Sequence, residues 1–396
     1  DLQCPNNYTS TTTQIKLRKQ VFCKYNRDIR PVRNHNETVD VQVFLMLRRL
    51  DFDEKNDKLT IHSLFHMSWY DYHLLWNSSD FDNIEVMRVS SYSLWKPDFD
   101  VYTSTSTWSS LQYFYTVCIL YSVGSVVCVP PLQQDTSCSA DLTRWPFDSH
   151  TCKMVIGSWT YAGEQINISF SNKGIGKYNY DSNREWELLS TSATREVKKF
   201  SCCPNETYPS VTFEFVLKRH SGIYASTVIV PAIVLMLMTL LTFWMDPGRS
   251  ERLFITTLDM FCHFIMLQYI EALLPSNGDK TPLLITFYRD SLILTTLALF
   301  CGILGKNLKI SSQPIPLWAS GISSLILNNR IGQMIIFRDI NLKPATEISG
   351  TESEGHTKTT ILSSTSSWDA FIAIEDSLFF IITLLVYIIL IIGFIP

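Results

Sequence analysis

The sequence predicts an all-β outer domain joined to four membrane-spanning helices. Three observations predict it. Four long apolar runs all lie after residue 221, and short alternating stretches divided by turn residues fill the part before. Cysteines and N-x-[S/T] triplets also crowd into that first part. The chain has 396 residues, and this length points to two or more domains. A net charge of −4 gives no reason to expect nucleic acid as a partner.

In chain order, Gln14–Tyr25 reads as a short amphipathic helix. Val41–Leu47, Val117–Tyr121, Val126–Val129 and Val211–Leu217 read as strands of a β-sandwich of immunoglobulin-like type. Ten cysteines are present, and eight of them precede residue 204. An even set in one half points to disulfides and an oxidising compartment, with buried free thiols as the alternative. Cys4–Cys23, Cys118–Cys128 (across the Val123-Gly124 turn), Cys138–Cys152 and Cys202–Cys203 are the expected pairs. Asn7, Asn36, Asn77, Asn167 and Asn205 open the glycosylation triplets, and none follows the first apolar run. No signal peptide opens the chain, so Asp1 reads as a processed start.

A spanning helix needs about 20 mainly apolar residues. Ile223–Met245, Leu253–Leu274, Leu283–Leu304 and Leu378–Ile395 meet that condition. If the first part is outside, four spans return the C-terminus outside as well. Arg249, Arg252, Lys306, Lys309, Arg330, Arg338 and Lys343 then face inward, as the positive-inside rule expects. The expected divisions are an outer domain at 1–221, three spans at 222–304, a cytoplasmic segment at 305–368 and the fourth span at 369–396. Within the third of these, Pro314–Phe337 carries an apolar pattern suited to the inner membrane surface. Pro344–Ser367 has a Ser/Thr-rich composition typical of disorder.

Thirteen residues separate Cys138 from Cys152, and Trp145-Pro146-Phe147-Asp148 lies between them. A disulfide here closes a compact loop with a Pro-aromatic tip. It is either a tip that presses on a neighbouring layer or an ordinary stabilising bridge. Adjacent Cys202 and Cys203 bond only through a strained eight-membered ring, or else each bonds elsewhere. Tyr102, Trp159, Phe200 and Tyr208 supply electron-rich ring faces near these landmarks. Such faces attract a quaternary ammonium by about 0.5–2 kcal/mol per ring. Any single ring read alone is core packing, which is the default for Tyr161.

The loop and its tip resemble the defining loop of the Cys-loop family of pentameric ligand-gated ion channels. Tyr25-Asn26, Ile29-Arg30-Pro31-Val32, Asp53-Glu54-Lys55-Asn56, Trp69-Tyr70-Asp71, Trp76-Asn77 and Trp95-x-Pro97-Asp98 follow in the family's order. The resemblance covers nearly the whole chain except the Ser/Thr-rich stretch, and it is to nicotinic alpha-like subunits in particular. It implies that Tyr102, Trp159, Phe200, Cys202, Cys203 and Tyr208 form the principal face of a ligand site. It implies that Leu64, Ile119, Val127 and Val129 line the complementary face of the next subunit. Leu64 stands where the family usually has Trp, and Phe200 stands where it usually has Tyr.

Steps of four and three along the second span give Phe254, Leu258, Phe261, Ile265, Gln268 and Ala272, which form one helical face. The resemblance implies that this face lines the pore, with Glu251 as a ring of carboxylates favouring cations. Phe254 and Phe261 depart from the family, and five copies of each would narrow and dry the lumen. Asp259 and His263 read as an interhelical pair turned away from the lumen. Glu54 and Arg219 match a charged pair at the junction of the two parts, either a coupling device or a plain salt bridge. Pro146 and Phe147 are expected to meet Pro275 and the loop that follows it.

The function these features imply is a ligand-gated, cation-selective channel subunit opened by a small choline-like cation. The alternative is a silent or modulatory subunit with a poorly conducting apolar pore and a ligand other than acetylcholine. Expected partners are four further subunits, a homopentamer before a heteropentamer, with the cationic ligand and membrane lipid. The expected setting is the plasma membrane, at a synapse. No nucleophile–base constellation, metal-ligand cluster or phosphate loop is visible in the sequence, so neither an enzyme nor a cofactor is expected.

Overall fold

The computed structural model describes residues 12–106, 111, 115–275, 280–311, 313–329 and 364–394, with side chains from 368 onward in the last segment. By contacts the chain divides into two units. One contains Asp1–Asp141 and Phe147–His220, and the other contains Leu142–Pro146 and Ser221–Pro396.

The first unit is a β-sandwich headed by a helix. The helix runs Thr13–Phe22 and buries Leu17. One sheet contains β1 (Val39–Asp53), β2 (Lys58–Tyr70), β3 (Val86–Ser90), β5 (Val117–Tyr121), β6 (Ser125–Cys128), β7 (Pro131–Ser137) and β9 (Ile166–Lys177). Its order is β3-β5-β6-β2-β1-β9, and β7 extends β2. The other sheet, in the order β10-β11-β8-β4, contains β4 (Phe99–Val101), β8 (Ser149–Ser158), β10 (Trp186–Phe200) and β11 (Cys203–Arg219). Val41, Val43, Leu45 and Leu47 alternate along β1 and are fully buried. They meet Met154, Ile156, Phe213 and Phe215 from the second sheet in one core. This is the period-two burial that a half-buried strand requires.

The four expected strands fall within β1, β5, β6 and β11. The 15-residue β10 escapes a sequence reading because most of its outer half is exposed and polar. Near the helix, the Tyr25 hydroxyl donates to Asp71 at 2.8 Å and accepts the Trp95 N–H at 2.8 Å. These motif residues are therefore scaffold.

Cys138 and Cys152 are disulfide-bonded, with Cα atoms 5.1 Å apart. Cys118 and Cys128 are bonded too, across the β5–β6 hairpin, with Cα atoms 4.4 Å apart. Cys23 is in a disulfide, while its expected partner Cys4 lies outside the described residues. The Cys202–Cys203 bond is not formed. Both are free thiols whose sulfurs lie 2.9 Å apart, against about 2.05 Å for a bond. The two-residue turn that lets Phe200 pair with Cys203 seats them as a thiol–thiol hydrogen bond and spares the strained ring. Cys152→Ser, which opens the 14-residue loop, is expected to cost about 3 kcal/mol, read as a lower denaturation midpoint under non-reducing conditions.

The second unit contains four helices long and apolar enough to cross a membrane: Gly222–Thr242, Ser250–Leu273, Leu283–Ile310 and Trp368–Phe394. The last begins ten residues before Leu378, the start suggested by hydropathy. Its polar opening is neutralised, because Arg252 of the second span grips Asp376 with two bonds of 2.8 and 2.6 Å. A shorter apolar helix, Leu317–Leu327, follows the third span. The remainder of Pro314–Phe337, the Ser/Thr-rich stretch as far as residue 363, and Arg330, Arg338 and Lys343 lie outside the described residues.

Candidate functional site: an aromatic cluster, a charged node and an exposed helix face

The four expected rings gather at one end of the β10-β11-β8-β4 sheet. Ser210 of β11 pairs with Gly157 of β8, so Tyr208 falls beside the loop carrying Trp159. That loop is tied to β11 by the Gly163 N–H, which donates to the Thr207 carbonyl at 2.6 Å. Tyr102 and Trp159 have ring centroids 6.3 Å apart. Phe200 and Tyr208 are 5.3 Å apart. Trp159 is 66% exposed, an unusual state for the largest apolar side chain.

Sequence reasoning missed the residue that sets this loop. Asp98 accepts the Ser158 hydroxyl at 2.5 Å and both the N–H and hydroxyl of Thr160 at 2.6 Å. Its own carbonyl accepts the Trp159 N–H at 3.3 Å. The Trp95-x-Pro97-Asp98 spacing held this signal, but only the fold brings Asp98 and Thr160, 62 positions apart, together. Tyr102 donates its hydroxyl to the Ser158 carbonyl at 2.6 Å. Burial, then the charges of Asp98 and Asp100, push its pKa up to about 12. Gly157 has a structural reason, since a Cβ there would lie 2.4 Å from the Tyr102 hydroxyl. The Tyr208 hydroxyl donates to Glu206 at 2.7 Å.

Leu64, Ile119, Val127 and Val129 lie half-buried on the other sheet. Ile119 pairs with Val127, and both alternate with the core residues Cys118, Leu120, Val126 and Cys128. This set therefore faces away from the core and away from the ring cluster of its own chain. Asn36, Asn77 and Asn205 are exposed, whereas the Asn167 amide donates to Asp40 at 2.8 Å and accepts Arg195 at 2.6 Å. Asn7 lies outside the described residues.

Arg219, at the end of β11, is the centre of a buried charged node. It pairs with Glu54, as expected, and also with Asp148 at 2.8 and 3.0 Å and with Glu185 at 3.2 Å. Its guanidinium lies 4.2 Å from the Trp186 ring. His150 bonds Asp148 at 2.5 Å. Burial opposes the Arg219 charge, but the bonds from Asp148 and Glu54 outweigh it and hold the group above its ordinary range. Burial likewise favours a neutral Asp148, yet His150 and Arg219 hold it below the usual carboxylate range. The stability Asp148 contributes is thus present above about pH 4 and lost as pH falls through its depressed value.

Pro146 is buried and Phe147 exposed. In the helical unit, the Leu283 N–H donates to the Thr143 carbonyl at 3.0 Å, and the Trp145 ring lies 5.0 Å from that of Tyr224. Pro275 is half-buried, and residues 276–279 of its loop lie outside the described residues.

On the second span, Glu251, Phe254, Leu258, Phe261, Ile265, Gln268 and Ala272 are all exposed, with Phe254 the most open of them at 71%. Arg252, Thr256, Asp259, His263 and Ile270 are buried on the opposite side.

Residues 14–221, just over half of the chain, match the family described as the neurotransmitter-gated ion-channel ligand binding domain. The human neuronal acetylcholine receptor subunit alpha-2 is 32% identical over 80% of this chain and 60% of its own length. Human subunit alpha-5 is 31% identical over 74% of this chain and 62% of its own. The Caenorhabditis elegans acetylcholine receptor subunit alpha-type acr-16 is 35% identical over 71% of this chain and 56% of its own. The chain thus spans only about 60% of the relatives' length. With its sandwich, its disulfide-closed loop and its four apolar helices, the chain belongs to the neurotransmitter-gated ion-channel family, as a divergent nicotinic-like subunit.

Proposed function

We propose that the chain is one subunit of a cation-selective channel opened by a small cationic ligand. The observation that supports this most is the exposed Trp159 ring held in a cluster with Tyr102, Phe200 and Tyr208. Four ring faces converging on one space suit a quaternary ammonium better than any neutral ligand. The complementary residues lie on the opposite sheet, so a site using both sets needs two copies of the chain side by side. A homopentamer is favoured, because this chain carries a complete principal face. The outward placement of the first unit and of the C-terminus rests on the one-sided glycosylation triplets and on basic residues such as Arg249 and Lys306. This places the receptor in the plasma membrane, and a postsynaptic membrane is its natural setting.

Coupling is assigned to Glu54, Arg219, Pro146, Phe147 and Pro275, with ligand closure shifting a two-state equilibrium. Glu251, exposed in the first turn of the second span, is assigned to the inner mouth. Glu251→Gln is expected to lower the cation-to-anion permeability ratio several-fold, measured by the reversal potential under diluted salt.

A second reading is favoured by the aliphatic Leu64 and by the exposed Phe254 and Phe261. In it the chain is a silent or modulatory subunit, with a dry pore and a ligand other than acetylcholine. Expression of the chain alone, with currents recorded against a ligand panel, separates the two. Ligand-evoked cation currents support the first. Surface expression without current, rescued by another subunit, supports the second.

A further inference from the structure

A buried polar node deep in the helical bundle has a hydrogen count that does not close unless one proton is added. Asp259 and His263, one turn apart on the second span, are both 0% exposed. One carboxylate oxygen of Asp259, Oδ2, lies 2.8 Å from the Thr239 hydroxyl of the first span. The other, Oδ1, has no hydrogen-bond partner among the described residues. His263 Nδ1 approaches it only to 3.5 Å and instead lies 2.9 Å from the Asp259 carbonyl. An ionised carboxylate left half-satisfied in a bundle of apolar helices costs several kcal/mol.

The hydroxyls around it show where a proton belongs. Thr295 gives its single hydrogen to the Ser291 carbonyl at 2.9 Å. Thr239 has one hydrogen, yet lies within bonding distance of two acceptors, the Leu235 carbonyl at 3.1 Å and Asp259 Oδ2. A proton on Asp259 Oδ2 donates to the Thr239 oxygen and leaves the Thr239 hydrogen free for Leu235. On the other side, a neutral His263 with its hydrogen on Nδ1 donates to the Asp259 carbonyl. Its Nε2 then accepts from Ser291 at 2.6 Å, which accepts from the Tyr387 hydroxyl of the fourth span at 2.7 Å. Every one of these hydrogens then has an acceptor.

We propose that Asp259 is a proton-binding site within the bundle, occupied in the folded protein, and that the resulting neutral network fixes the rotation of the second span. The groups facing it are Thr239 from the first span, Tyr288, Ser291 and Thr295 from the third, Tyr387 from the fourth, and His263 on its own helix. The charged pair Arg252–Asp376 starts seven residues earlier, about 10 Å along the axis, and is satisfied within itself. The proton comes from water as the bundle assembles. Loss of it leaves a bare carboxylate on the face opposite Phe254, Leu258 and Phe261, and that face can then turn toward water. The consequence for gating rests on the channel reading above, whereas the proton itself does not.

The test is reversible unfolding of the full chain in mixed micelles at several values between about pH 5 and 8, for wild type and Asp259→Asn. An unfolded aspartate is ionised above about pH 4, so folding takes up one proton at this residue. The ratio of wild-type to variant folding constants is therefore expected to fall about tenfold per pH unit as pH rises. A ratio that stays flat overturns the proposal. His263→Gln is expected to leave that slope unchanged. If Asp259→Asn does not fold, the infrared carbonyl band of a protonated carboxylic acid, sought in wild type at about pH 8, decides instead. Its absence overturns the assignment. Neither measurement needs the chain to conduct, so a silent receptor with an intact slope disproves the channel reading alone.

Discussion

Trp159→Ala is expected to abolish measurable binding of a quaternary ammonium such as choline. The indole is the largest ring of the cluster and the most open to an incoming cation, at 66% exposed. Its contribution to a desolvated cation is about 2 kcal/mol, roughly thirtyfold in affinity. The remaining rings contribute less each, and Tyr102 loses its neighbour at 6.3 Å. Equilibrium binding to membranes containing the full chain checks this. Trp159→Phe, which keeps a weaker ring face, is expected to fall between the two. Unchanged binding in the alanine variant would remove the aromatic cluster as the ligand site.

Arg219→Gln is expected to have the largest effect on stability. The wild-type guanidinium is fully buried and answers Glu54, Asp148 and Glu185 together. Glutamine leaves Asp148 buried with only His150 beside it. Removing one partner from a buried ion pair costs roughly 3–5 kcal/mol. For a domain of this size that lowers the melting temperature by about 10 °C, read by intrinsic fluorescence of the full chain. The sign of the pH effect is specific. Wild type loses the Asp148 contribution as pH falls, whereas the variant is relieved when its carboxylates take up protons, so the gap narrows below about pH 5.

Hydropathy made the first three helices legible because their apolar runs are long and nearly unbroken. The fourth seemed to start at Leu378 because Glu375 and Asp376 interrupt the run. The partner that makes Asp376 tolerable is 124 positions away, at Arg252, and no local pattern points to it. Core strands such as β1 and β11 showed their alternation. β10 did not, because its role is to hydrogen-bond along β11, and it buries little. The rings and the Glu54–Arg219 pair were legible through the family's motifs. Asp98, Asp148, Glu185 and Thr239 were not, since each acts on a group brought close only by folding. The adjacent cysteines marked the right hairpin but the wrong chemistry, because their turn accommodates two thiols side by side.

The hydrogen bonds that converge on Asp98 give the ligand site two unlike halves. One wall is preorganised: the Trp159 loop meets its entropic cost once, at synthesis, and needs no ordering when a cation arrives. The other wall, Phe200 and Tyr208, sits at the tip of a hairpin closed by a turn of two residues. Association is then governed by the rigid wall, and residence time by how long the hairpin stays shut. Agonists of equal affinity can therefore differ in how long they hold the receptor engaged, according to how much of their surface the hairpin covers.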